Sequence, residues 1–266
     1  MAKVIWKGQI NFGLVNVPVR LYSASRKRKL DFRLVDKRDQ NSVGYLKINK
    51  ETGREVRPEE IARAIDVDGE TVVLEDEDFE QAASKSARAI DIRHFVRLEQ
   101  IEPAFFEKPY YLEPEEGAEK SYVLLREVVE RTGRVGIAKV VLRKREHLAA
   151  LMVQDDALML NLLRFAPEIV DPAELDLPHD NAREIGVDTG SIEMATELVQ
   201  RMTQDWEPEQ YHDEYQEELE ALIEQRARQQ RTGEVPAEAS RPAPEHEETP
   251  ASDLSEQLRR SVDQRR

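Results

Sequence analysis

The stretch IWKGQINFGLVNVPVRLYSA, residues 5–24, carries two alternating apolar runs whose phase changes between them. Trp6, Gly8, Ile10 and Phe12 share one phase, and Val15, Val17, Val19 and Leu21 share the next. Period-two alternation is the pattern of strands with one face on a core. The slip at Gly13 therefore reads as a turn, bulge or barrel corner, and Pro18 suits an edge or irregular strand.

The residues that follow are strongly basic. Arg26, Lys27, Arg28, Lys29, Arg33, Lys37, Arg38, Lys47 and Lys50 surround an alternating Leu30, Phe32 and Leu34, as in an exposed arm with short strands. Two turn signals come next, Thr52-Gly53 and Asp68-Gly69, the second flanked by Val67 and by Val72 to Leu74 as in a hairpin. The acidic run Glu75 to Asp78 precedes Phe79 and suits the start of a short helix, where carboxylates meet the positive end of the helix dipole. Ala118, Tyr122, Leu125 and Val129 then recur at helical spacing ahead of Gly133, which predicts a helix over 118–132 closed by a glycine C-cap.

Three strand-like runs follow, Val135 to Arg143, Leu148 to Val153 and Leu158 to Phe165, most simply an antiparallel meander. From Ser191 the period is helical, with Ala195, Leu198, Val199, Met202 and Trp206 on one face. Pro208 allows a restart into a second helix bearing Tyr211, Tyr215, Leu219 and Leu222. Residues 231–251 hold four prolines among Glu, Ala and Arg, too few large apolar groups to offset the entropy of ordering, and read as a disordered linker. Residues 252–266 align Leu254, Leu258 and Val262 as a short terminal helix would.

Composition narrows the chemistry. The 266 residues include no cysteine, which removes disulfides, Cys-ligated zinc and thiol nucleophiles, and neither a signal region nor a membrane span can be drawn at the start. A cytoplasmic protein is expected. The net charge of −15 argues against a nucleic-acid partner until it is divided along the chain. Residues 1–50 carry 12 Lys/Arg against 3 Asp/Glu, whereas residues 151–266 carry 11 against 28. Exposed charges more than about 8 Å apart are largely screened at physiological salt, so an acidic region need not cancel a basic one.

Catalytic patterns are missing. Gly8 to Gly13 lacks the Gly-Lys-Ser/Thr ending of a phosphate loop, Asp68-Gly69 lacks the Lys-x-Asp-Gly context of a nucleotidyltransferase, and the histidines at 94, 147, 179, 212 and 246 have no zinc spacing. Glu75 to Asp78 and Asp155-Asp156 permit a metal-dependent nuclease, with a helix start and a hairpin turn as the plainer alternatives. The basic arm has a plain alternative too, a solvated surface. Tyr22 and Phe32 among the charges permit single-strand binding by base stacking. Arg143, Lys144 and Arg145, with Lys139 nearby, form a second basic cluster at a turn, suited either to facing DNA or to keeping a loop soluble.

Four segments resemble the bacterial Ku proteins of non-homologous end joining: residues 5–24, FEKPYYL (106–112), GIAKVVLRKREHLAAL (136–151) and WEPEQYHDEY (206–215). The resemblance spans about residues 3–230. It implies an α+β, mainly β fold: a Ku-type β-barrel core within 1–190, a bridge arm inserted at about 26–66 and C-terminal helices over 191–230. It also implies a non-enzymatic homodimeric ring that threads duplex DNA and needs no cofactor or metal, nucleoid-associated when bound. DNA contacts are then expected from Arg26, Lys27, Arg28, Lys29, Arg33, Lys37, Arg38, Lys47, Lys139, Arg143, Lys144 and Arg145. Contacts to the family's partner, a multifunctional ATP-dependent DNA ligase, are expected from Trp206, Tyr211, Tyr215, Leu219 and Leu222. The family often ends in a Lys-rich tail, whereas this tail has no lysine and is acidic up to Arg259, Arg260, Arg265 and Arg266.

Overall fold

The computed structural model describes residues 3–26, 30–82, 88–143, 145–178 and 184–232, and the expected linker and terminal helix lie outside them apart from the end of the last helix. In chain order the strands are β1 (Trp6–Phe12), β2 (Val15–Ser23), β3 (Arg63–Val67), β4 (Glu70–Leu74), β5 (Ala89–Arg97), β6 (Phe106–Pro114), β7 (Arg134–Leu142), β8 (Arg145–Gln154) and β9 (Ala157–Leu163). The helices are α1 (Asp76–Ala82), α2 (Glu119–Thr132), α3 (Thr189–Met202) and α4 (Glu214–Thr232). The chain divides into two units, Met1–Leu175 and Asp176–Arg266.

Seven strands close a barrel in the order β1-β2-β6-β9-β8-β7-β5, and β3 pairs with β4 as a separate hairpin. A ring of seven strands cannot be antiparallel throughout, because strict alternation of direction needs an even number. The exception is the seam between β1 and β5, which is parallel and aligns Ile10 with Ile90. The apolar phase of 5–24 faces inward as the alternation requires: Ile10, Val17, Val19 and Leu21 are fully buried. Pro18 sits in a strand with two neighbours and faces Gln9 of β1, but the ladder to β6 begins one residue later, at Val19, so its missing amide interrupts no rung of that ladder.

Helix α2 covers the end of the barrel where β6 stops and β9 starts, and Gly133 in the left-handed region closes it as expected. Its buried Tyr122 hydroxyl donates to the Leu112 carbonyl (2.8 Å) and accepts from the Leu158 amide (2.8 Å). Leu112 and Leu158 end the β6–β9 ladder, so one side chain satisfies both strands where they run out of partners. Burial pushes the Tyr122 phenol above its ordinary pKa, against the opposing effect of the Leu158 amide. In β1, a Cβ at Gly8 would lie 2.3 Å from the Arg88 carbonyl oxygen and equally close to the Trp6 indole, so only glycine lets β1 approach the segment entering β5.

Several sequence expectations are corrected. Residues 30–57 form no strands, only the isolated bridges Val35↔Ser42 and Ile48↔Glu55. The turn expected over Lys144 to His147 is shorter, because Arg143 takes a positive φ of 51° and β8 already starts at Arg145. Trp206 is not on α3, which ends at Met202 with Thr203 extended, and Tyr211 precedes α4. Pro208 opens a short 3-10 turn there, after a Glu207 held extended as a residue before proline must be.

Replacing Tyr122 by Phe leaves the Leu112 carbonyl and the Leu158 amide unpaired in the core, at a cost of about 1–3 kcal/mol. A urea titration should show an earlier midpoint with unchanged far-ultraviolet dichroism. An unshifted midpoint would remove Tyr122 from this role.

Candidate nucleic-acid interface

Strand direction brings two basic segments to one end of the barrel. β2 runs antiparallel to β1 and stops at Ser23 near the level where β1 begins, while β5 runs parallel to β1 and starts at Ala89. The excursion between them thus leaves and returns at the same end. β7 is antiparallel to β5, with Val140 opposite Ile90, so its last residue, Leu142, and the following Arg143 also lie there. Helix α2 lies toward the other end.

Within the excursion two small loops are closed by local chemistry. In the first, the Asp36 amide donates to the Asn41 carbonyl (2.9 Å), and the Asp36 carboxylate accepts from the Arg38 amide (2.9 Å). The same carboxylate pairs with the Arg38 guanidinium, which holds the Asp36 pKa below its ordinary value and raises that of Arg38. In the second, the Asn49 side chain accepts from the amides of Glu51 and Thr52 (both 3.0 Å), and Gly53 completes the turn. The β3–β4 hairpin follows, with Asp68 and Gly69 at its tip as expected.

The expected DNA contacts do not behave alike. Arg26, Lys37 and Lys47 are exposed, and neither lysine is ion-paired among the described residues. Arg33 donates to the Ser42 hydroxyl at 3.4 Å, and Arg38 is matched by Asp36. Lys27, Arg28, Lys29 and Lys144 lie outside the described residues. At the β7–β8 turn Arg143 is exposed, but Lys139 pairs with Glu146 (2.7 Å) and Arg145 with Glu168 (2.8 Å). Burial, then the Arg145 charge, hold the nearby His147 imidazole below its ordinary pKa. Phe32 is exposed, while the Tyr22 hydroxyl donates to Glu113 (2.6 Å).

Sequence reasoning passed over Lys7 and Arg20, which face each other across β1 and β2 on the outward phase. Their signal was available, since they alternate with the buried residues of both strands. The acidic runs have local roles: Asp78 accepts from the Glu75 amide (2.8 Å), and Asp156 lies 3.9 Å from Arg126. Among the described residues no group of three or more His, Asp or Glu is arranged to hold a metal ion. The five residues expected to meet a ligase belong to the second unit, where Trp206 stacks on Tyr211 at 5.1 Å and Tyr215 is exposed.

The Ku70/Ku80 beta-barrel domain matches residues 11–189, a span that contains six of the seven barrel strands and the last two residues of β1. The chain belongs to the Ku family. A relative from Cupriavidus necator, named non-homologous end joining protein Ku, is 45% identical over 272 residues, covering 100% of this chain and 79% of its own. Relatives of the same name from Pseudomonas aeruginosa (41% identical, 85% of this chain and 78% of that protein) and Coxiella burnetii (37%, 99% and 95%) agree. All three bear the name of an end-joining protein and not of an enzyme.

These pairings order the candidates. Lys37→Gln with Lys47→Gln should flatten the log–log salt dependence of duplex binding by up to about 1.8, at about 0.9 per phosphate contact. Arg38→Gln should change it less, because Asp36 already matches that charge. A larger effect from Arg38 would reverse the ranking.

Proposed function

We propose that this chain is a sequence-independent clamp on the ends of double-stranded DNA, acting in non-homologous end joining. The observation that carries this reading is the basic excursion rooted at the same barrel end as the Arg143 turn. A clamp that accepts any broken end has to contact phosphates and sugars, which do not vary with sequence. Exposed lysines on loop tips suit that task. The names of the relatives point the same way.

The ring is supported by what the excursion leaves uncovered. Phe32, Tyr45, Leu46 and Ile48 are exposed, as are Ile65, Val67, Val72 and Val73 of the β3–β4 hairpin. A lone two-stranded hairpin is marginal in water. A second copy, applying the same surface by two-fold symmetry, would bury these residues and close a ring. The aromatic segment around Trp206, Tyr211 and Tyr215, with Leu219 and Leu222, is the reading's contact for an ATP-dependent DNA ligase, and the complex would work in the cytoplasm on the nucleoid. Single-strand binding draws on one observation, the exposure of Phe32 and Tyr45 within the basic segment.

A closed ring loads only at an end, whereas an open groove of equal charge binds a circle as well as a linear duplex. Retention on linear duplex with little on relaxed closed circles is expected, together with salt-resistant trapping once both ends are blocked by bulky protein. Equal retention on both forms without trapping would overturn the ring, and preference for unpaired strands would favour the single-strand reading.

A further inference from the structure

Between α3 and α4 the chain displays an unusual surface. Trp206 and Tyr211 stack with ring centroids 5.1 Å apart and planes 26° from parallel, yet Trp206 is 74% exposed. Tyr215, the second residue of α4, is 77% exposed. Around these rings residues 202–225 hold nine Asp/Glu and no Lys or Arg. Carboxylates beside open aromatic faces repel phosphates and attract guanidinium groups, which stack on Trp and Tyr while pairing with the acids.

The sequence supplies such a ligand. The acidic course of the tail reverses at its end, where residues 257–266 carry four Arg against a single Asp. Leu254, Leu258 and Val262 recur every four residues beside them. The tether length also fits. Tyr215 lies 17 residues before the end of α4 at Thr232, about 26 Å along the helix axis. Residues 233–253 are 21 in number, and a chain this rich in Pro and carboxylates favours extended conformations, reaching up to about 65 Å at about 3.1 Å per residue, enough to cover that distance. A tether that can span the distance makes docking intramolecular, so a weak contact is enough to hold the end.

We propose that the terminal segment 254–266 docks on the Trp206–Tyr211–Tyr215 face of its own chain, its arginines over the rings and among the carboxylates. Docking involves neither DNA nor ligase, so its test stands apart from the end-clamp reading. Hydrogen exchange of the full chain, without DNA, reads it directly. Arg259→Glu, Arg260→Glu, Arg265→Glu and Arg266→Glu together should speed exchange over 205–219 by about tenfold, the loss expected when a tethered contact of this kind is removed. Exchange in the barrel should not change. Trp206→Ala should speed exchange over 254–266 by a similar factor, because linkage is reciprocal. High salt should reproduce both effects in the unaltered chain. Unchanged exchange over 205–219 in the arginine variant, or over 254–266 in the Trp206 variant, overturns the proposal. Co-expression of the two variants decides whether the contact is within one chain: restored protection would mean that the tail crosses to another copy and would overturn the intrachain assignment.

Discussion

The parallel seam between β1 and β5 is the constraint on which the rest of the architecture depends. Closing seven strands forces one parallel pair, and a parallel neighbour of β1 cannot be reached from β2 by a tight turn. The chain has to leave the barrel after Ser23 and come back at Ala89. That excursion carries the basic loops and the β3–β4 hairpin, and the seam fixes both its roots at one end. Gly8 keeps the seam tight, since a side chain there would strike the Arg88 carbonyl as the excursion returns. The opposite end is left for α2, whose Tyr122 hydroxyl terminates two strands at once.

Charge is partitioned on the same plan. The overall −15 conceals a basic N-terminal fifth and an acidic C-terminal region. Near the basic end the structure also spends carboxylates locally, Asp36 on Arg38, Glu146 on Lys139 and Glu168 on Arg145. Such pairs near the surface contribute little to stability. Their effect is to concentrate the unmatched positive charge on fewer positions, with Lys37 and Lys47 at the loops and Arg143 at the β7–β8 turn. Acidic residues crowd instead around the exposed rings of the second unit, a surface suited to cations rather than phosphates.

Much of the barrel was legible because its signals are local. The alternation over 5–24, the Asp68-Gly69 hairpin, the helix ending at Gly133 and the three-strand meander each depend on neighbours in sequence, and each appears in the structure. The order of strands around the ring is set by pairings far apart in sequence, and composition carries no trace of them. Pairing of Arg145 with Glu168 spans 23 positions, so the reading that gave Arg145 to DNA had no sign that its charge was already met. The misplacement of Trp206 has a different cause. Its spacing continues the α3 stripe perfectly well, but backbone geometry ends the helix at Met202 and hands the ring to Tyr211.

On the proposed reading, DNA is met by the excursion between β2 and β5 rather than by the barrel wall or the acidic unit. Hydrogen exchange of the chain loaded on a linear duplex, against the free chain, tests this most directly. Slowed exchange is expected in the loops 36–41 and 49–54 and at the β7–β8 turn, with α3 and α4 unchanged. Slowing confined to α3 and α4, with those loops exchanging as in the free chain, would contradict it.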